Sequence, residues 1–563
     1  MSINICMRVF IFIILITFLS LILNGYYLGI HDQAIYIPYL NKILDPSLYN
    51  HDSLINLQNN NTTFFWHLIS PIVRVVDIST SFFVLYLFSL FLFFLSIYCI
   101  SFELYKKHLV SITSVILLVV PRYTFGSVST FDLYLTPRFF ILPFLLFVLL
   151  FFIKKKYYLS FILLGLLANI HFISSFFIFV VLAIYFLLHI KNIKVRNISK
   201  YLFLYFITIL PVLAWKFLYT STTSIGLLKI DYNWFYFLKK TLPFYYDFLT
   251  PGEKMPFIFY GKLLGVFYII SILVMFLKNK KNVTSTFIYV WFFTIVCFVF
   301  AAILVNFYIP INALISFQLI RASKFLPIIF YLVLSNYLYS EFIINIPKRK
   351  TLKYLLYVLM LSVFWFMPFN TSFILFFLIY IVSPRNFFPR YVLVILMVLV
   401  IIQFKTYAPM REISLINVHM KGYKDPVQKV QDWMSIYTPV DSTFIVPIYI
   451  GGFTESDFRI FSKRNIVLTN AQMGEVAFNV GYQNEITSTL NDLTKNSFSV
   501  FLKSKTYYSD FFEYSSIGYN SNTTTDFVKL GNKYNANYVI TEKPKILNLP
   551  VVYENSRFYV YEL

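Results

Sequence analysis

Long apolar runs separated by short polar stretches recur from the N-terminus to about residue 405. This pattern limits the choice of fold more than any other, because about 20 apolar residues are enough to cross a bilayer as a helix. Hydrophobic residues make up 59% of the 563 residues and charged residues only 13%, and a soluble fold cannot cover so much apolar surface. The sequence therefore predicts a polytopic α-helical membrane protein.

About thirteen apolar segments within residues 1–406 qualify as spans, the shorter ones because neighbouring helices would bury them. The first follows Arg8 and has the features of a signal peptide, but we interpret it as an uncleaved helix because so many spans follow. The predicted spans are residues 8–24, 80–102, 109–121, 138–153, 157–170, 172–190, 201–219, 257–277, 285–305, 325–345, 353–367, 371–383 and 391–405.

Lys and Arg cluster in alternate loops, as at Lys154 to Lys156 and at Lys348 to Lys350. This positive-inside pattern assigns those loops to the cytoplasm, and it explains the net charge of +22 without a nucleic-acid partner. An odd number of spans then places the C-terminus outside. Within the third outer loop, the aromatic residues of 231–253 are expected to lie flat at the membrane interface. The predicted outer loops are residues 25–79, 122–137, 220–256 and 306–324.

Polar residues and turn signals become frequent after about residue 406. Asp425 and Pro426 suit the N-cap and the first helical position, so a helix is predicted over 425–437. Alternating strands and helices favour a small extracytoplasmic α/β domain over residues 407–563. Its other predicted elements are strands at 443–449, 465–469 and 538–541, a helix over 524–534 and a hairpin of 550–553 with 558–561.

The segment GIHDQAIYIPYLNKILDPSLYNHD, residues 29–52, is the first place after the first span that carries chemically reactive side chains. Apolar residues from Ile35 to Leu44 recur at helical spacing, which predicts a helix in the membrane interface that Pro46 ends. Asp32 precedes this helix and is a candidate catalytic carboxylate; the alternative is that it caps the helix. Asp52 is a candidate substrate-binding residue, and its alternative role is to stabilise the loop.

An acidic residue after the first span, an interfacial helix and an Asp-Pro-x-Leu-Tyr-x-x-Asp run together resemble the first outer loop of the GT-C superfamily of multi-pass glycosyltransferases. The resemblance is in particular to uncharacterised bacterial members with a soluble C-terminal domain. It implies a GT-C fold in a bacterial inner membrane, surrounded by membrane lipids. It also implies inverting transfer of a sugar from a polyprenyl-phosphate donor to an extracytoplasmic glycan, lipid or protein, with Asp32 as the base.

Such a transfer needs a carboxylate near the acceptor hydroxyl and the anomeric carbon, and cations for the leaving phosphate. GT-C enzymes often place a second acidic residue in the second outer loop, and Asp132 matches that pattern as a catalytic candidate. Arg138 is a candidate phosphate ligand; the alternative is that it forms an ion pair with Asp132 that fixes the loop. Arg321 and Lys324 precede another span, where they would bind phosphate or anchor the chain to lipid headgroups.

His171 interrupts an apolar run from Tyr157 to Ile190 that is too long for one span and too short for two ordinary ones. The polar middle of this run must therefore lie at a shallow turn or in a cavity. His171 resembles a histidine at the same place in related multi-pass proteins, which implies a catalytic role. The alternative is a turn histidine in contact with solvent.

Two neighbouring pairs, His31 with Asp32 and His51 with Asp52, raise the question of a metal site. Sequence neighbours point apart in an extended chain, so we assign no metal ligands, and the need for a divalent cation stays open. His31 is a candidate substrate-binding residue beside Asp32. The three cysteines lie singly in apolar stretches and predict neither a disulfide nor a zinc site.

Three other functions stay open at this point. A Wzy-type polymerase or ligase of lipid-linked glycans also uses arginines in outer loops, but the sizeable soluble domain counts against it. A transporter or flippase would carry ionisable residues in mid-span, whereas Glu103 and Glu341 lie near predicted span ends. A membrane anchor would need far fewer spans. An outward cavity lined by Asp32 would favour the transferase.

Overall fold

Helices predominate in the structure, which is a computed structural model. It describes residues 3–57, 63–191, 193, 195–219, 230–249, 256–278, 286–344, 418–422, 425–450, 457–504 and 508–563. A small sheet follows the apolar helices near the C-terminus. The architecture is therefore that of a polytopic helical protein with a C-terminal sheet region.

Six of the described helices are long and apolar enough to cross a membrane. Four apolar helices of 10–17 residues accompany them, so the first ten predicted spans each contain an apolar helix. The last three predicted spans and the predicted boundary at residue 406 lie outside the described residues, and the total of thirteen stays a prediction. The six long segments are Cys6–Asn24, Ile78–Tyr105, Val195–Phe217, Ile258–Leu277, Thr286–Phe307 and Asn312–Glu341.

A two-residue strand, β1 (Tyr26–Tyr27), follows the first helix. The helices before the sheet are α1 (Ile3–Asn24), α2 (Gln33–Leu44), α3 (Ser53–Leu57), α4 (Phe65–Val75), α5 (Ile78–Tyr105), α6 (His108–Leu117), α7 (Pro137–Ile153), α8 (Tyr157–Ala168), α9 (Phe172–Leu188), α10 (Val195–Tyr219), α11 (Tyr232–Thr241), α12 (Pro243–Tyr246), α13 (Pro256–Lys278), α14 (Thr286–Phe307), α15 (Asn312–Ser316) and α16 (Phe325–Leu338). Turns of 3-10 helix occupy Phe125–Ser127 and Leu319–Lys324, and a π-helical turn covers Tyr339–Ile344.

Basic loops gather at one end of the apolar helices, which we call the basic end. Lys106 Nζ lies 2.5 Å from Glu103 Oε1, and Lys154 Nζ lies 3.9 Å from Glu103 Oε2, so the loops after α5 and α7 meet there. Lys107 Nζ lies 4.4 Å from the centre of the Tyr339 ring. The opposite end is called the site end, and it carries the connecting segments 25–57, 63–77, 118–136, 230–249 and 308–324.

The C-terminal unit, residues 418–563, contains a mixed five-stranded sheet. The strands of that sheet are β3 (Thr443–Ile445), β4 (Asn465–Ile466), β5 (Tyr538–Glu542), β6 (Val551–Glu554) and β7 (Phe558–Glu562), and a separate short strand, β2 (Val418–His419), precedes them. The helices of the unit are α17 (Pro426–Tyr437), α18 (Phe458–Ser462), α19 (Met473–Val476), α20 (Tyr482–Leu493), α21 (Ser497–Lys503), α22 (Tyr508–Asn520) and α23 (Thr524–Tyr534). The order in the sheet is β4-β3-β5-β7-β6. The helix predicted at 425–437 and the terminal hairpin are confirmed, and the Asp425 side chain accepts a hydrogen bond from the Gln428 N–H as an N-cap does.

The C-terminal unit packs on the site end. Strand β1 pairs in parallel with β2, so that Tyr26 lies opposite Val418. Trp234 in α11 donates from Nε1 to the Val476 carbonyl oxygen at 2.7 Å. The unit therefore lies at the same end as the loop that follows the first span.

Two segments predicted to lie in the membrane interface pack on protein instead. Most of α2 is buried, including Ile37 and Leu40, because α4 and α18 both pack against it. In α11, Trp234 and Phe237 are buried, and Tyr236 donates from its hydroxyl to the Leu502 carbonyl oxygen at 2.7 Å. The C-terminal unit and neighbouring helices cover the apolar residues of α2 and α11. The spacing of apolar residues along a helix does not show whether lipid or protein covers them.

Candidate functional site

The turn before α2 holds Asp32 at the site end. Gly29 has a φ of 91° and His31 a φ of 49°, so the chain bends sharply before the helix. The Gln33 side chain closes this turn: Oε1 accepts a hydrogen bond of 2.7 Å from the Gly29 N–H, and Nε2 donates to the Leu135 carbonyl oxygen at 3.1 Å. The turn is thereby tied to the segment that precedes α7.

The start of α7 holds Arg138 against Asp132. Thr136 is the N-cap, its hydroxyl oxygen accepts from the Phe139 N–H at 3.1 Å, and Pro137 occupies the first turn. The Thr136 hydroxyl also donates to Asp132 Oδ2 at 2.6 Å. The Arg138 guanidinium donates to Oδ2 and Oδ1 of Asp132, at 2.9 Å and 3.2 Å. The ion pair offered as an alternative for these residues is therefore present.

Arg138 joins Asp32 to Asp132. Its Nη1 donates to Asp32 Oδ2 at 2.5 Å, while Asp32 makes no side-chain bond that would cap α2. The capping alternative for Asp32 is therefore wrong. Burial raises the pKa of Asp32, but the charges of Arg138 and Arg321 outweigh burial and leave that pKa below its usual value. Asp32 is consequently ionised, and Arg138 is engaged by two carboxylates rather than free for a phosphate.

Arg321 and Lys324 lie on the 3-10 turn before α16, where residues three apart lie on the same side. The Arg321 guanidinium lies 4.5 Å from the centre of the Tyr245 ring, and its Nε is buried without a hydrogen-bond partner among the described residues. Lys324 Nζ is 3.5 Å from Ser174 Oγ. Within the described part of the chain, no carboxylate forms an ion pair with either side chain.

His171 is the N-cap of α9. Its Nδ1 accepts a hydrogen bond of 3.2 Å from the Ser174 N–H, which assigns the proton of the neutral ring to Nε2. Burial first, and then the neighbouring charges of Lys324, Arg321 and Arg138, hold the pKa of His171 well below its usual value. The ring is therefore neutral and presents an Nε2–H donor. The predicted turn between α8 and α9 is confirmed.

These groups line one cavity of about 320 Å³ at the site end. The basic side chains on its wall outnumber the carboxylates, which makes it suited to an anion. Two carboxylates, three basic side chains and two histidines, all expected from the sequence to belong to one site, therefore converge. They are His31, Asp32, Asp132, Arg138, His171, Arg321 and Lys324.

Asp52 lies apart from this cavity. It is fully buried, accepts a hydrogen bond of 2.7 Å from Arg459 Nε, and accepts further bonds from the N–H groups of Ile466 and Leu54. A buried carboxylate satisfied in this way has no oxygen left for a substrate. The structure thus argues against the substrate-binding role predicted for Asp52 and gives it the loop-stabilising role.

No group of three or more His, Cys, Asp or Glu side chains in the described part of the chain is arranged to hold a metal ion. The His51 backbone N–H donates a hydrogen bond to Asn465 Oδ1. His51 lies beside Asp52, away from the cavity. The two His-Asp pairs of the sequence are therefore separated. Among the described residues of the cavity wall, the carboxylates that a metal ion shared with a bound phosphate could use are Asp32 and Asp132.

Sequence reasoning missed several residues that shape the cavity. Gln33 is fully buried and sets the Asp32 turn, yet a glutamine at a helix start carries no special signal. Tyr245 lies against Arg321 but was one of many aromatic residues in its loop. Ser127 lines the cavity, and its hydroxyl is buried without a partner among the described residues.

No known protein family matches the chain, and no curated protein matches its sequence. The class of protein therefore follows from the fold and the site alone. It is a polytopic helical membrane protein with a small C-terminal sheet region and a charged cavity at one end of its helices.

Proposed function

We propose that the protein is a membrane glycosyltransferase that moves a sugar from a polyprenyl-phosphate donor to a glycan, lipid or protein acceptor. One observation carries the proposal: the accessible carboxylate of Asp32 shares a cavity with Arg321 and Lys324, which have no carboxylate partner among the described residues. A phosphate oxygen is a strong ligand for such cations, and Arg binds it with two parallel bonds. The resemblance of residues 29–52 to a GT-C outer loop supports the same assignment.

The proposal includes an orientation and a membrane. Basic loops favour the cytoplasmic side, so the basic end would face the cytoplasm and the site end the exterior of a bacterial inner membrane. The C-terminal unit packs on the site end and would then be extracytoplasmic as well. A donor whose tail lies in the bilayer would reach the cavity from the membrane side.

In the proposed reaction the acceptor hydroxyl oxygen attacks the anomeric carbon as the bond from that carbon to the phosphate oxygen breaks, with inversion. The phosphate leaves with the bonding electron pair and is held by Arg321 and Lys324. The hydroxyl proton passes to Asp32 and then to solvent. Because a carboxylate with a lowered pKa is a weak base, Asp32 takes the proton late and also stabilises positive charge at the anomeric carbon.

The remaining groups of the cavity position and bind. Asp132 and Thr136 fix Arg138, and Arg138 fixes Asp32. The Nε2–H of His171 donates to a substrate oxygen, a role for which a neutral imidazole is suited. His31 lines the cavity beside Asp32 and contacts the sugar.

The test is a transfer assay with the full-length protein in proteoliposomes, using radiolabelled sugars on polyprenyl monophosphate, with Mg²⁺ or with EDTA. Envelope glycans and glycolipids of a deletion strain, analysed by mass spectrometry, identify the acceptor. We expect label to move to the acceptor. We expect Arg321→Gln to lower kcat/KM about 10- to 100-fold, because a charged hydrogen bond is worth about 1.5–3 kcal/mol.

Arg196→Gln is the matched control, since Arg196 is exposed at the start of α10 near the basic end. It should keep the wild-type rate. An unchanged glycan and glycolipid profile in the deletion strain would contradict the proposal. Movement of intact lipid-linked sugar across the bilayer without transfer would instead support the flippase.

A further inference from the structure

A second cavity, of about 200 Å³, lies where the loop between α2 and α4 meets the C-terminal unit. His51 and Ser53 contribute the loop side, and the sheet and two helices contribute the other side. This cleft is separate from the charged cavity, with no lining residue in common. The residues that line it are His51, Ser53, Thr443, Val467, Leu468, Tyr482, Glu485, Ile486, Thr489 and Tyr534.

The chemistry of the cleft suits an uncharged polyol. Five lining residues carry hydroxyl groups, one carries a carboxylate and one an imidazole, and the described residues of its wall include neither Lys nor Arg. A phosphate or other anion would find no cation there. Val467, Leu468 and Ile486 add an apolar surface, which the C–H face of a sugar ring can cover.

The walls are held in place before any ligand arrives. The Tyr482 and Ser53 hydroxyls lie 2.9 Å apart, and the Tyr534 hydroxyl donates to Asp492 Oδ2 at 2.5 Å. The residues at the rim are different: the Glu485 carboxylate and the His51 ring are exposed, and neither has a hydrogen-bond partner among the described residues. Rigid walls with two free polar groups at the rim favour binding at low entropic cost.

The volume of the cleft limits the size of the ligand that it can bind. Pockets for drug-sized molecules measure roughly 300–1,000 Å³, and this cleft is smaller. It therefore suits a single monosaccharide unit and not an oligosaccharide. Its position at the site end places such a unit on the same side as the charged cavity.

We propose that this cleft binds one uncharged sugar unit of the acceptor, with Glu485 accepting hydrogen bonds from sugar hydroxyls and His51 bonding at the opposite rim. The identification of the sugar as the acceptor rests on the proposed function. Sugar binding itself does not, because it involves none of the residues of the charged cavity.

The test uses the full-length protein in lipid nanodiscs and measures binding by saturation-transfer NMR titration. The probes are the methyl glycosides of glucose, galactose, rhamnose and N-acetylglucosamine, with inorganic phosphate as a comparison. We expect at least one glycoside to bind with a Kd of about 1 mM or tighter, which is about −4 kcal/mol. Glu485→Gln and His51→Ala should each weaken that binding about tenfold, the effect of losing about 1.4 kcal/mol.

Glu513→Gln, at an exposed position of α22 outside the cleft, is the matched control and should bind as wild type does. Asp32→Asn should lose transfer but keep sugar binding, which separates failure of this inference from failure of the proposed function. The inference is overturned if no glycoside binds, if Glu485→Gln and His51→Ala bind as wild type does, or if phosphate competes for the same cleft.

Discussion

Asp32 and Asp132 share one guanidinium but differ in accessibility. The Asp32 side chain is 38% exposed and the Asp132 side chain 13%, so Asp32 reaches into the cavity while Asp132 holds Arg138. Asp32→Asn keeps a side-chain oxygen that accepts the hydrogen bond from Arg138 and removes the proposed base. We therefore expect the transfer rate to fall about 10²- to 10⁴-fold in the proteoliposome assay, with the thermal midpoint little changed.

Asp45→Asn is the control for this change, because Asp45 is an exposed carboxylate of the same loop whose side-chain hydrogen bonds within the described residues go to Ser47. It should transfer at the wild-type rate. Full activity in Asp32→Asn would remove this residue from the mechanism and leave the cavity as a binding site only.

The lowered pKa of His171 predicts how stability depends on pH. The unfolded chain binds the proton near pH 6.5 and the folded chain only at lower pH, so the contribution to stability is present above about pH 6.5 and is lost as the pH falls toward the folded pKa. His171→Asn keeps a side-chain acceptor for the Ser174 N–H and does not titrate. The drop in thermal midpoint between about pH 7.5 and pH 5 should therefore be smaller in this variant.

His189→Asn, at the other end of α9, removes a histidine whose Nδ1 lies 2.9 Å from the Tyr185 carbonyl oxygen. Comparison with this variant shows how much of the change in His171→Asn is specific to position 171. An equally steep drop in His171→Asn and in wild type would show that His171 is not the group that titrates.

For individual residues, the sequence indicated which side chains line the charged cavity, but it did not indicate which residues they contact. A charged group next to an apolar span is unfavourable in free energy unless it has a partner or a function. Asp132 and Arg321 could therefore be selected as candidate site residues. Asp52 was predicted to bind substrate or to stabilise its loop, and its partner is Arg459, 407 residues further along the chain. Only the folded chain brings that partner into contact and so favours the second role.

Among the helices, α8 and α10 show how closely elements at the site end pack. A Cβ added at Gly165 would lie 2.8 Å from the Tyr205 carbonyl oxygen and 3.0 Å from Thr208 Cβ, because the helices cross at this glycine. Gly165→Ala should therefore destabilise the protein by about 1–3 kcal/mol. The measurement is the thermal midpoint in detergent, followed by fluorescence-detected size-exclusion chromatography.

Gly474→Ala is the matched control, because a Cβ added there has no neighbour within 4 Å among the described residues beyond its own stretch of backbone. Alanine in the helix α19 should leave the midpoint unchanged or raise it slightly. If both variants melt alike, the close approach of α8 to α10 does not limit stability.

Helices marked by capping or turn residues were predicted well, whereas one helix marked only by its apolar spacing was missed. The N-cap Asp425 marked α17, and the polar residues after α8 marked the turn into α9. Helix α20 was missed, although Tyr482, Ile486 and Leu490 recur at helical spacing and are buried. The apolar face of α2 was recognised, but whether lipid or protein covers it depends on elements distant in the sequence.

For the whole molecule, one buried ion pair joins the loop after α2 to the C-terminal unit. Asp52 and Arg459 are both fully buried, and Arg459 also donates to Thr469 Oγ1 at 2.7 Å and to Gln472 Oε1 at 3.1 Å. Asp457 stays as a second carboxylate 3.3 Å from Arg459, so Asp52→Asn removes one charged hydrogen bond and we expect a loss of about 1.5–3 kcal/mol in stability. Limited proteolysis should then cleave the C-terminal unit faster than in wild type.

Asp441→Asn, at an exposed position just before β3, is the control and should resist proteolysis as wild type does. Equal protease resistance in Asp52→Asn would mean that the other contacts suffice to hold the C-terminal unit, among them the strand pair β1–β2 and the bond from Trp234 to Val476.

By itself, the sequence determined that this is a multi-pass helical protein with a small C-terminal sheet region, and which of its loops are basic. Hydrophobic run length, charge clustering and capping residues are local properties, so they can be read without a fold. The tertiary structure decided that Arg138 joins Asp32 to Asp132, that Arg321 and Lys324 have no carboxylate partner among the described residues, and that Asp52 is buried against Arg459. Those outcomes depend on contacts between residues far apart in sequence, which form only when the helices and the C-terminal unit pack together.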